Sequence, residues 1–295
     1  MQTLRLLPWL LLLFCTTLLA DGPVWRVENG SKVLYLGGTL HLLRLRDYPL
    51  PDSFDKAFEQ AGRLVFETDI AATRDPAFLT AMDQALRLPP GERLSRQVSA
   101  ETRELLQAKL AQFGQTLGSF DGYRAALLSI SLTMMELQRL GVDAPGVDEF
   151  LFRRAQAAGK ATGWLETPQQ QIDFLARMGD GEEDGLLRQT LVELGTLERE
   201  FPRMIEAWQE GDLEDLDRLF VLPMREFSPR LYRELLVERN RRWLPQILDL
   251  LKTPERELVL VGSAHLAGPD GLIRSLRERG YRVSRLDSTA VAPAD

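Results

Sequence analysis

The chain has 295 residues, 44% hydrophobic and 27% charged, with 36 Lys and Arg against 43 Asp and Glu. That balance excludes a disordered or fibrous polymer and leaves enough apolar material for a sizeable core. A net charge of -7 argues against a nucleic-acid binder, and the single cysteine, Cys15, rules out a disulfide framework.

At the N-terminus Arg5 precedes an almost wholly apolar run from Leu6 to Leu19, and Ala20 stands before the polar Asp21-Gly22. This pattern predicts a secretory signal peptide over residues 1–20, cleaved near Ala20, because the run is short for a membrane span of about 20 residues. Leu12-Leu13-Phe14 ahead of Cys15 lacks the small residues of a lipid-attachment site. Cleavage removes Arg5 and Cys15, so the mature chain carries a net charge of -8 and has neither thiolate nucleophile nor cysteine metal ligand. It is expected in the periplasm or outside the cell, held by its core alone and without a membrane span. No Pro-rich or Gly/Ser-rich linker divides residues 21–295, which read as one domain with a helical subdomain at about 75–250.

Two β-prone runs, Val24–Glu28 and Val33–Gly37, flank Asn29-Gly30 and predict a hairpin. A helix follows from Asp52, its expected N-cap, to about Ala61, with Gly62 as terminator. The short apolar run Arg63–Phe66 then passes into Glu67, Thr68 and Asp69. Strand, helix, strand predicts a right-handed crossover and a parallel pair, with Glu67 on the same carboxyl edge as His41.

From Asp75 to about Leu251 apolar residues recur every three or four positions, which predicts helices, with Met134, Met135, Met178 and Met204 assigned to core packing. A helix over Val147–Ala158 ends at Gly159. One strand interrupts the helices, Ala161–Glu166, and Thr167-Pro168 with Gln170 opens the next helix through a capping box. The charges between Glu182 and Glu210 read as a solvated helix face. A long helix, Leu231–Leu251, precedes a second strand, helix, strand unit: Glu257–Val261, Leu272–Arg279, Tyr281–Ser284. The tail from Ala290 is expected to fray.

The only two histidines stand at equivalent places in these units, in Gly38-Thr39-Leu40-His41 and Gly262-Ser263-Ala264-His265, 224 positions apart. Each follows an apolar strand. If both units share one sheet, both imidazoles lie on the edge where open α/β sheets bind ligands. Two neutral imidazoles and a carboxylate form a recurrent divalent-metal site that activates water. His41, His265 and Glu67 match that inventory, with Asp69 and Glu166 as further carboxylates and Arg239-Asn240 on the long helix as substrate or supporting contacts. Acid–base chemistry without a metal stays open on the residues alone. No His-Glu-x-x-His, phosphate loop, Gly-x-Ser-x-Gly or dinucleotide fingerprint occurs.

Taken with Gly146-Val147-Asp148, Gly159-Lys160, Leu165-Glu166, Glu238-Arg239-Asn240, Gly268, Gly271-Leu272 and Gly280-Tyr281, these motifs resemble the TraB/GumN family from about Trp25 to Leu286. The resemblance implies an α/β fold like that of erythromycin esterase and ChaN, with a mixed, largely parallel central sheet, flanking helices and a large helical insertion. It implies kinship with the TIKI metalloproteases, a divalent cofactor (Mn, Co or Zn) on His41, Glu67 and His265, and a peptide or protein substrate. The expected function is an exported metal-dependent hydrolase of the peptidase kind. Its alternative is a non-catalytic haem-binding, ligand-binding or envelope-assembly protein on the same fold.

Overall fold

The computed structural model describes residues 22–286. The expected signal segment and the tail from Ala290 lie outside those residues. Among the described residues eight strands occur: β1 Val24–Asn29, β2 Lys32–Thr39, β3 Leu42–Leu43, β4 Arg63–Phe66, β5 Ala144–Pro145, β6 Ala161–Trp164, β7 Glu257–Gly262 and β8 Arg282–Arg285. β3 and β5 form a small separate ladder, and the other six form one sheet in the order β6-β4-β7-β2-β1-β8. All its neighbours run parallel except β1, which is antiparallel to both β2 and β8. The α/β class with a largely parallel sheet is therefore as expected.

The hairpin forms one residue later than its sequence suggests. Asn29 still pairs with Lys32, so the turn is Gly30-Ser31, and Gly30 takes φ 60° at the first turn position, where glycine meets no steric penalty. The expected pairing of β2 with β4 is corrected more substantially. β7 lies between them, with Thr39 opposite Gly262 on one side and Val65 opposite Val259 on the other. The reason is burial: Leu258, Val259, Leu260 and Val261 are fully enclosed, and an unbroken apolar run belongs in the centre of a sheet covered on both faces.

Helix boundaries follow local chemistry. The helix Pro168–Arg177 opens with the expected box, Thr167 Oγ1 accepting from Gln170 N while Gln170 Oε1 accepts from Thr167 N. Gly159 and Gly280 adopt the left-handed conformation just past the helices they end. Gly62 does not: Asp52–Gln60 leaves through Ala61 in an extended conformation, and Asp52, expected as its N-cap, is its first helical residue behind Pro51, which makes no side-chain cap. The predicted helix Leu231–Leu251 is instead Pro229–Tyr232, a π-helical turn Arg233–Val237, and Glu238–Leu250.

The main core packs against the sheet around Trp25, Tyr35, Phe54, Trp208 and Trp243, and a second apolar cluster around Leu106, Leu110, Leu128 and Leu132 sits within the helical insertion. The two are tied to the sheet's edge by the helix Glu183–Glu210, whose buried Trp208 Nε1 donates to Gly38 O at 2.8 Å. Met135 packs on the second cluster, but Met134 is 37% exposed, contrary to its assignment to the core. Among the described residues no helix is long and apolar enough to cross a membrane.

Candidate functional site

The two Gly-x-x-His ends meet because β2 and β7 are adjacent and in step. Close approach requires the glycines: a Cβ on Gly38 would lie 2.9 Å from Ser263 Oγ, and one on Gly262 would lie 3.3 Å from Glu67 Oε1. Ser263 Oγ donates to Thr39 O at 3.1 Å and closes the pair. Beyond β4, Glu67 turns its carboxylate across β7, where Gly262 N donates to Oε1 at 2.7 Å.

Arg239 is the hub. From the helix Glu238–Leu250 its Nη2 donates to Glu67 Oε2 and to Glu166 Oε1, both at 2.5 Å, its Nε donates to Glu166 Oε2 at 3.2 Å, and its Nη1 lies 3.1 Å from His265 Nε2. The guanidinium also stacks over the Trp243 ring at 4.5 Å, and Trp243 lies 4.4 Å from the His265 ring. All four charged or imidazole groups are nearly enclosed. A buried cation between two buried carboxylates compensates charges that neither could carry alone.

Asn240 sets the state of His265. Its Nδ2 donates to His265 O at 3.1 Å and Asp270 O at 2.9 Å, which leaves Oδ1 to accept from His265 Nδ1–H at 2.7 Å. With its proton on Nδ1, the neutral ring presents the Nε2 lone pair to Arg239. Burial pushes His265 down to about 3, with the Glu67 charge opposing. Glu67 itself is driven up by burial, but Arg239, with help from both histidines and Gly262 N–H, outweighs that and holds it at about 2.

His41 differs. Its side chain is 73% exposed, and Nδ1–H donates to Asp148 Oδ2 at 3.0 Å. That hydrogen bond and the Asp148 charge push His41 up to about 9, an effect that water screens at so open a ring. Asp148 arrives in the first turn of the helix Val147–Ala157, fixed by Val147 N donating to Leu40 O at 3.0 Å and by the β3–β5 ladder. Gly146 makes this possible, since a Cβ there would lie 2.2 Å from the Leu40 and His41 backbone.

Glu67, Glu166, Arg239, Asn240 and His265 thus form one hydrogen-bonded group, while His41 stands beside it on the adjacent strand end. Asp69 is not in the group: its Oδ1 accepts from Ala71 N and Ala72 N and caps the following turn. Sequence reasoning quoted Gly146-Val147-Asp148 without giving Asp148 a role, and it passed over Trp243. The signal for Asp148 was a glycine and an acid opening a helix; nothing local marks Trp243.

The donor set suits a divalent cation in one respect. Each imidazole has Nδ1 bound to a side-chain oxygen, the outer contact that orients a ligating histidine and leaves Nε2 for the ion. His265 Nε2 and Glu67 Oε1 are 3.9 Å apart. In another respect the space is already used, because Arg239 holds His265 Nε2, and among the described residues no three His, Cys, Asp or Glu side chains converge as a cage. As the side chains stand, the site is a charge-paired cluster around Arg239 and not a metal cage.

A parallel-sheet α/β protein with paired Gly-x-x-His ends over buried carboxylates is the class that fold and site define. The chain belongs to the TraB/PrgY/gumN family, whose model matches residues 23–285. It is similar to the Escherichia coli K12 protein YbaP, named as uncharacterized, at 28% identity over 84% of this chain and 89% of that one. It is similar to the zebrafish metalloprotease TIKI2 at 25% identity over 84% of this chain and 57% of the relative, and to human metalloprotease TIKI1 at 25% identity over 88% and 61%. The chain therefore spans about three fifths of the TIKI relatives. No solved structure matches it.

Proposed function

We propose that this protein is an exported metal-dependent hydrolase, of the peptidase kind, in which His41, Glu67 and His265 hold a divalent ion (Mn, Co or Zn). The observation that carries the reading is the pair of histidines just past the ends of adjacent parallel strands, each with Nδ1 held by a side-chain oxygen, although His265 Nε2 is taken by Arg239 Nη1 as the side chains stand. Kinship with proteins named metalloproteases supports it. When bound, such an ion supplies a water of lowered pKa, hence a hydroxide near neutral pH.

The chain's own groups do the rest. Asn240 and Asp148 orient the two rings. Arg239, once released from His265, offers its guanidinium to negative charge developing on a carbonyl oxygen. Glu166, held by Arg239 Nε and Nη2, is the carboxylate we assign to take a proton. Asp69 shapes the turn that follows Glu67.

The test is metal content. Purified mature protein is expected to retain a divalent ion that the His41→Ala, His265→Ala double variant lacks; equal content in the two overturns the proposal. The Arg239–His265 contact favours a second reading, acid–base hydrolysis without a metal. Hydrolysis that survives complete chelation yet is lost with His41→Ala selects it.

A further inference from the structure

Away from the sheet edge, the helix Glu183–Glu210, the segment Asp217–Phe227 and the turn at Pro229–Glu234 enclose a groove of about 1050 Å³. That is at the top of the range for small-molecule pockets, about 300–1,000 Å³. Its floor is Leu186, Leu197, Met204, Phe220 and Met224, each of which keeps partial solvent exposure, and Phe227 at the lip is 45% exposed. Met178 and Met204, assigned to the core from sequence, line this groove instead. Methionine is the side chain that best adapts to varied apolar partners.

The rim is acidic. Glu182, Glu183, Asp184, Glu193, Glu200 and Glu234 line it against Arg218 and Arg230. Arg218 is paired with Asp215, Arg230 with the rim's Glu234, and Glu200 with Arg199 and Arg203, so the rim acids without an ion pair among the described residues are Glu182, Glu183, Asp184 and Glu193. Glu193 has no cationic partner among the described residues; its Oε1 accepts from Gln189 Nε2 at 2.8 Å. At 1.5 Å per helical residue, the acids from Glu183 to Glu200 spread along about 25 Å, which suits a chain segment better than one compact cation. Two π-helical turns, Asp217–Val221 and Arg233–Val237, supply Leu219, Phe220 and Glu234 to the lining, and such turns are rare and recur at functional sites.

We infer that this groove binds a basic amphipathic peptide segment, with its apolar side chains on the Leu, Met and Phe floor and its Lys or Arg side chains along the acidic rim. This is the helix-in-groove mode of recognition with charge complementarity added. It stands independently of the chemistry proposed above, because His41, Glu67, Glu166, Arg239 and His265 do not line the groove.

The experiment uses the mature chain and a fluorescein-labelled helical peptide of leucine and lysine, about 14 residues or four turns long, with a second peptide carrying glutamate for lysine. Fluorescence anisotropy is expected to show saturable binding of the lysine peptide, weakened roughly tenfold by Glu193→Lys and unchanged by Glu278→Lys, an equal charge change at an exposed helix position elsewhere. Phe220→Ala, checked for folding by circular dichroism, tests the floor and is expected to weaken binding; if it unfolds, Glu193→Lys decides. The His41→Ala, His265→Ala variant is expected to bind the peptide as the parent does, so failure of the hydrolase reading leaves this result standing. Equal binding of both peptides, or equal effects of Glu193→Lys and Glu278→Lys, overturns the inference.

Discussion

The two Gly-x-x-His ends have near-identical local sequences and opposite surroundings. His265 is enclosed by Arg239, Glu67, Trp243 and Asn240 and is held neutral, whereas His41 is open to water and held by one carboxylate. The difference teaches that a strand-end motif determines where an imidazole is placed, while its protonation and freedom come from whatever packs over it. Over β7 that is the helix Glu238–Leu250, and beside β2 it is the opening of Val147–Ala157.

The sharpest way to break the contrast is to remove the hub of the buried side. Arg239→Leu leaves Glu67 and Glu166 buried without their cation and should destabilise the fold by about 3–5 kcal/mol in urea unfolding; a loss below about 1 kcal/mol would mean that the two acids find other compensation. Asn240→Ala strips His265 Nδ1 of its acceptor and is expected to cost about 1–3 kcal/mol.

Acid should expose the same asymmetry. In the folded chain His265 is held near 3 against an ordinary 6.5, so the unfolded chain takes that proton first; its contribution is full above about 6.5 and is lost as pH falls toward 3. Glu67 acts in the same direction lower down, with a contribution present above about 4.5 and lost as pH falls toward 2. His41 has the opposite sign: its raised value stabilises the fold below about 6.5 and the contribution fades as pH rises toward 9, weakly, because water screens the pair. Unfolding midpoints between pH 7 and 3 should therefore drop steeply, and a flat profile would count against a buried neutral His265.

The smallest effect on stability is the most specific. Asp148→Ala should change it by less than about 1 kcal/mol, yet it should shift His41 in long-range proton–nitrogen NMR. With only two imidazoles in the chain, the assignment is direct. Wild-type His41 should carry its Nδ1 proton to unusually high pH, and the variant should titrate near 6.5; unchanged titration would remove Asp148 from the site.

Much of this was legible from local pattern. The hairpin, the strand ends bearing His41 and His265, the capping box at Thr167 and the acids after Phe66 are short-range features, and each occurs within a residue or two of its expected place. What was hidden depends on distant packing. The apolar run after Glu257 marks an interior strand but does not say which strands will flank it, nothing in a 3.6-residue period reveals a π-helical turn, and Asp148 acquires meaning only because Gly146 lets its loop press on the backbone of His41.

The central place of β7 also bears on how the molecule comes into being. Its residues, Glu257–Gly262, are synthesised long after β2 and β4, and among the described residues no other strand joins those two. A nascent chain can close the β1–β2 hairpin and many helices early, but β2 and β4 stay apart until β7 inserts. Pairings over such long sequence separations form slowly. A product truncated before residue 257 would have Glu67, Glu166 and Arg239 without the strand between β2 and β4 and without His265.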